Sequence, residues 1–127
     1  MIHELSGGEK QKVLITLSLV QLDIISDLKG KLLIIDEPLT YLDINFQYEI
    51  ISILSKLKQD KGLSVIIVTH DLDVAIKYTD RVLLMEKGNM VSYGKTDEVL
   101  NEETLNNFFL SGSKIIDYNG GKHLIKI

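Results

Sequence analysis

Two short apolar runs without polar interruption stand out along the chain: Leu32-Leu33-Ile34-Ile35 and Val65-Ile66-Ile67-Val68. A strand that is apolar at every position is suited to burial on both faces, the habit of parallel sheets. The first run ends on Asp36-Glu37-Pro38 and the second on Thr69-His70-Asp71. Between them Gln47, Ile50, Ile51, Leu54 and Leu57 recur at helical spacing. Asp43 is placed to cap that helix and Gly62 to stop it. Upstream, Val13, Leu17, Val20 and Ile24 form another helical stripe, broken by Lys29-Gly30-Lys31. Its entry has Ser6 three residues before Glu9, the spacing of a capping box.

Downstream the pattern changes. A short helix through Val74, Ala75 and Tyr78 precedes two expected strands, 81–86 and 89–93, around Lys87-Gly88. Residues 97–109 read as one helix with an acidic start, which suits the helix dipole. Asn119-Gly120-Gly121 between 114–118 and 122–127 predicts a closing hairpin. Strand, helix, strand, helix implies a right-handed parallel crossover and an α/β fold with flanking helices and C-terminal β-hairpins.

Composition narrows the function. The 127 residues suit one domain, 45% of them are hydrophobic, and no repeat or linker divides them. The net charge of −4 offers no general attraction for nucleic acid or an anionic membrane. With no cysteine there is no disulfide or thiolate metal site. Met1-Ile2-His3-Glu4 does not open a signal peptide. The apolar stretch 13–25 is interrupted by Thr16, Ser18, Gln21 and Asp23, too short and polar to span a bilayer. Work at a membrane would therefore go through a partner, from the cytoplasmic side.

The strand ends carry the candidate chemistry. Parallel strands present their last residues at the carboxyl edge of the sheet, where ligands bind. Asp36 there can hold Mg²⁺, and Glu37 can polarise an attacking water. The alternative is a plain polar strand exit. His70, at the end of the neighbouring strand, can contact a terminal phosphate, or can be an ordinary hydrogen-bonded histidine. Ser6, Gly7, Gly8 and Glu9 form either a capped helix start or an anion site of open N–H groups. Asp43 is either an N-cap or part of an interface loop.

In this order and spacing, Leu5-Ser6-Gly7-Gly8-Glu9, 32–38, Leu42-Asp43 and Thr69-His70-Asp71 resemble the ABC ATPase family. They resemble its signature motif, Walker B strand with catalytic Glu, D-loop and H-loop, and the resemblance covers nearly the whole chain. It implies a P-loop NTPase-type parallel sheet that binds ATP and Mg²⁺, with two ATPase subunits sandwiching the nucleotides. Asp36 would hold the metal, Glu37 would be the general base and His70 would touch the γ-phosphate. Ser6, Gly7, Gly8 and Glu9 would form the nucleotide-binding signature across the dimer, and Asp43 would lie in the dimer-interface loop. A membrane-embedded permease would be the other partner, placing the protein on the inner face of the cell membrane, with no nucleic acid expected. The long stretch from Glu9 to Leu32, Leu42-Asp43-Ile44-Asn45, Ser92-Tyr93-Gly94-Lys95 leading to Asp97-Glu98-Val99-Leu100, Leu105 and Phe108-Phe109 resemble importer ATPases for iron-siderophore complexes, haem and cobalamin.

The family's phosphate-binding loop has the form G-x-x-x-x-G-K-[ST]. Gly7-Gly8-Glu9-Lys10 lacks its spacing, and Gly120-Gly121-Lys122-His123 lacks its first glycine and hydroxyl. Residues 1–127 are therefore expected to be the C-terminal portion of one nucleotide-binding domain, inactive alone, with apolar sheet faces left open. Leu39 and Thr40 stand where the family usually has Thr and Ser, and Lys12 where it usually has Arg. Two alternatives belong to other classes. The C-terminal lobe of an SMC-like or DNA-repair ATPase head would follow a coiled coil, and no heptads are seen. A non-catalytic docking fragment would donate its signature motif to a full-length ATPase.

Overall fold

The computed structural model describes residues 6–21, 26–109 and 111–127. Leu5 of the glycine motif, Ile24 of the first stripe and the side chain of Val20 lie outside the described residues. The chain divides into two compact units, Met1–His70 and Asp71–Ile127. No helix among the described residues is long and apolar enough to cross a membrane.

The first unit contains α1 (Gly7–Gln21), β1 (Leu32–Asp36), α2 (Ile44–Lys61) and β2 (Ser64–Val68). β1 and β2 pair in parallel, from Leu32 opposite Ser64 to Asp36 opposite Val68. This is the expected strand–helix–strand crossover. Asp43 Oδ1 accepts from the Phe46 N–H at 3.0 Å, satisfying one of the open donors at the start of α2. At the other end Gly62 takes the left-handed conformation, φ 74°, and its N–H closes on the last carbonyls. Ile50, Ile51 and Leu54 are buried as their spacing predicts.

The burial on both faces that these apolar runs suit is not reached, and the open apolar sheet faces expected of this stretch are seen: Leu32, Ile34, Ile66 and Val68 are exposed while Leu33 is buried. An all-apolar strand needs a layer on each side, and α2 packs beside β2. Among the described residues, no element of this unit covers the Ile34–Ile66 face. In α1 the stripe through Val13 and Leu17 does not mark the buried side. Ile15 is buried, whereas Leu14 and Leu17 are exposed. A helical stripe is buried only where a neighbouring layer meets it.

The second unit begins with α3 (Leu72–Tyr78), capped by Asp71 through the Val74 N–H. β3 (Arg81–Glu86) and β4 (Asn89–Lys95) form an antiparallel hairpin, β4 running two residues past its expected end. Its turn residues Lys87 and Gly88 have φ of 49° and 80°, the twist that joins tight hairpins. The helix expected over 97–109 is two helices, α4 (Thr96–Val99) and α5 (Glu102–Phe108). Asn101 makes the break: its backbone is extended and its Oδ1 accepts from the Thr104 N–H at 2.9 Å. A short amide side chain that bonds backbone two or three residues on competes with helix and starts a new one. β5 (Ser113–Tyr118) and β6 (Gly121–Lys126) then form the expected hairpin across Asn119-Gly120. Ile76, Leu84, Val99, Leu100 and Leu105 form the core of this unit.

Candidate functional site

Parallel pairing delivers the ends of β1 and β2 to one edge. Asp36 is the last residue of β1, opposite Val68, and it is exposed. The Glu37 N–H extends the ladder by donating to the Val68 carbonyl at 2.7 Å. Glu37 then adopts φ 47° and the chain turns away. Buried Pro38, Leu39 and Leu42 anchor the turn from beneath. Gln47 on α2 clamps it from the side, its Nε2 donating to the carbonyls of Leu39 at 3.3 Å and Leu42 at 3.1 Å.

This turn aims Glu37 at the end of β2. Glu37 Oε1 lies 2.9 Å from His70 Nδ1, and Glu37 Oε2 lies 3.5 Å from Thr40 Oγ1. With the carboxylate ionised, Nδ1–H is the donor, which orients the imidazole. The His70 side chain is 86% exposed and that of Glu37 37%. The carboxylate is thus held on one side and open to a reactant on the other. Such a group can accept a proton from a water beside it.

Asp36 offers an exposed carboxylate next to this pair. Among the described residues no three His, Cys, Asp or Glu side chains gather to form a metal cage. A lone hard-oxygen donor at a sheet edge fits Mg²⁺, which keeps its waters and takes few protein ligands beside phosphate oxygens.

The glycine motif lies at the start of α1. Ser6 Oγ accepts from the Glu9 N–H at 3.2 Å, so the cap expected from the spacing is present. Gly8 has a packing reason: a Cβ there would sit 2.6 Å from the Tyr41 carbonyl oxygen. Only a residue without a side chain lets the two backbones come so close. Two further contacts hold α1 to this loop region. Gln11 Nε2 donates to the Glu37 carbonyl at 3.0 Å, and Lys12 Nζ stands 4.2 Å over the Phe46 ring.

The structure therefore joins Glu37 to His70 directly and brings Gly7 and Gly8 against Tyr41, in the loop after Glu37. Ser6 accepts from the Glu9 N–H and Asp43 from the Phe46 N–H, so each caps its own helix. Tyr41, Gln11 and Gln47 escaped the sequence reasoning. Gln47 left a trace, as a polar residue within an apolar stripe. Gln11 stands three residues after Gly8 and so shares its helix face.

Residues 2–76, more than half of the chain, match the family model described as "AAA domain, putative AbiEii toxin, Type IV TA system". The chain is 41% identical over 100 residues to the peptidoglycan transport ATP-binding protein YejF of Agrobacterium fabrum, covering 79% of this chain and 17% of that protein. It is 34% identical over 109 residues to the petrobactin import ATP-binding protein FpuC of Bacillus anthracis, covering 86% and 38%. The chain belongs to the ABC-type ATPases. Among solved structures, this ABC-type chain superposes at a TM-score of 0.75, with 26% identity, on "an inward-facing conformation of a putative metal-chelate type ABC transporter". That match covers 99% of this chain and 49% of the other. The α/β arrangement is thus that of an ABC ATPase domain, and the chain spans less than half the length of each of these relatives.

Proposed function

We propose that the chain is the catalytic-edge portion, residues 1–127, of the nucleotide-binding domain of an ABC importer that binds and hydrolyses ATP. The observation that carries this is the Glu37–His70 pair, 2.9 Å apart at the carboxyl edge of parallel β1 and β2. Glu37 takes a proton from the water that attacks the γ-phosphorus, and His70 orients the carboxylate and touches the γ-phosphate. Asp36 would hold Mg²⁺, which supplies charge neutralisation on the phosphate oxygens. The Ser6-Gly7-Gly8-Glu9 start of α1 faces the nucleotide of a second ATPase subunit, with the Gly7 and Gly8 N–H groups as donors. Asp43, in the loop that caps α2, lies at the contact between the two subunits.

Residues 1–127 contain no G-x-x-x-x-G-K-[ST] cradle, so the triphosphate grip comes from outside them. The membrane-embedded permease is the transport partner, with the ATPase on the cytoplasmic face of the membrane. The solute class is an iron-siderophore complex, haem or cobalamin. Likeness to a petrobactin import ATP-binding protein and to a metal-chelate type transporter supports that choice. The named relatives are transport proteins, which favours this reading over a chromosome-structure ATPase head.

The test is ATP hydrolysis with and without Glu37→Gln. The purified chain is expected to show no saturable Mg²⁺-dependent turnover, whereas the complete ATPase assembled with it turns over and loses that activity in Glu37→Gln. Turnover of the chain alone that disappears in Glu37→Gln would overturn the incomplete-domain reading. Turnover that survives Glu37→Gln would remove Glu37 as the base.

A further inference from the structure

The hydrogen bond from Gln11 to the Glu37 carbonyl spans 26 residues of sequence and joins two parts of the proposed site that serve different nucleotides. At one end is α1, capped by Ser6 and opening on Gly7 and Gly8. At the other is the residue whose carboxylate meets His70. The connection is short and stiff. Gln11 lies on the same helix face as Gly8, which touches the Tyr41 backbone, and Lys12 is seated on Phe46 at the start of α2. A shift of α1 therefore moves the segment 37–41 with it.

Glu37 is sensitive to such a pull. Its φ of 47° is a conformation that L-residues hold only when their surroundings impose it. Three hydrogen bonds to its backbone fix it: its N–H donates to the Val68 carbonyl, and its carbonyl accepts from the Thr40 N–H at 3.4 Å and from the Gln11 side chain, Nε2, at 3.0 Å. Of the two bonds at the carbonyl, that from Gln11 is the shorter and the one that comes from a separate element, α1.

We propose that Gln11 is a positioning residue that transmits the seating of α1 on a nucleotide at the dimer contact to the general base of its own site. This rests on the reading of Glu37 as base and of Ser6-Gly7-Gly8 as a phosphate-facing signature. When α1 is drawn onto a triphosphate, Gln11 holds the Glu37 backbone in its left-handed turn and the carboxylate toward His70. When α1 is released, the turn relaxes and the base loses its aim. Hydrolysis at one nucleotide is thereby made conditional on occupancy of the other.

The side-chain donor is the critical property, so the variants separate donor from size. Gln11→Met keeps the length and removes the donor, and Gln11→Lys keeps a donor. In the transporter complex that carries this chain, Gln11→Met is expected to lower kcat about five- to tenfold, the worth of one such bond, with KM for ATP unchanged. Gln11→Lys is expected to recover most of the loss. Amide hydrogen exchange on the same variants reads the coupling without activity. The Glu37 and Thr40 amides should exchange faster in Gln11→Met and recover in Gln11→Lys, while the Gln47 amide in α2 stays unchanged. Wild-type kcat in Gln11→Met, alongside an inactive Glu37→Gln, overturns the inference and leaves the base intact. A loss in Gln11→Met that Gln11→Lys does not repair overturns it too, because the side chain would then act by packing. Full turnover in Glu37→Gln removes the base reading and the coupling together.

Discussion

Replacing Gly8 with alanine sets two well-understood effects against each other. Gly8 lies in α1 with no left-handed backbone to preserve, so helix propensity alone favours alanine by about 0.8–1 kcal/mol. The added Cβ, however, would meet the Tyr41 carbonyl oxygen at 2.6 Å. That neighbour is backbone and cannot swing aside, and the next residue, Leu42, is buried at 8% exposure. Overpacking of this kind costs about 1–3 kcal/mol, so the clash is expected to win. The net loss, up to about 2 kcal/mol, corresponds to as much as roughly 30-fold in the opening equilibrium of α1. Gly7 is the internal control. Its Cβ would meet the Tyr41 ring at 3.3 Å, and that side chain is 80% exposed and free to rotate away. Gly7→Ala is therefore expected to stabilise α1 by up to about 1 kcal/mol. The assay is hydrogen–deuterium exchange over residues 9–21, read peptide by peptide. Faster exchange in Gly8→Ala with slower or unchanged exchange in Gly7→Ala supports the close approach of the two backbones. Equal behaviour of the two variants, or slower exchange in Gly8→Ala, refutes it.

Two further outcomes test the packing within each unit. Gly62→Ala places a Cβ in a left-handed position at φ 74° and 3.3 Å from Lys29 Cβ. It is expected to lower the stability of the first unit by about 1–2 kcal/mol in urea denaturation followed by circular dichroism. Asn106 accepts from the N–H groups of Gly112 and Ser113 and donates to the carbonyls of Glu102 and Ser113. Asn106→Ala strands these groups beside a Ser113 that is only 2% exposed. A loss of about 2 kcal/mol is expected in the same experiment, with exchange at residues 112–115 rising most.

What could be read in advance depended on where the governing contact lies. The ends of α2 were legible because Asp43 and Gly62 act within a few residues of themselves. The meeting of Glu37 and His70 was legible because parallel pairing places the ends of two apolar runs side by side. The break between α4 and α5 had a local cause in Asn101, but its neighbours are good helix formers and the acidic start masked it. The one-sided burial of β1 and β2 could not be read from their own residues. An apolar position says what it tolerates, and the covering layer decides whether it is buried. Gln11 was illegible for a different reason: its partner is a backbone carbonyl, which has no letter in the sequence.

The left-handed turn at Glu37 has an evolutionary side. Glutamate has no local means of offsetting that conformation, whereas asparagine and glycine adopt it readily. The position is therefore one where a change of residue would gain stability and forfeit the carboxylate. Drift toward a firmer fold is open at every generation, and under the role proposed for Glu37 the demand for hydrolysis opposes it. In a lineage released from that demand, position 37 is among the first where the sequence should wander, and wandering toward asparagine or glycine would mark the release.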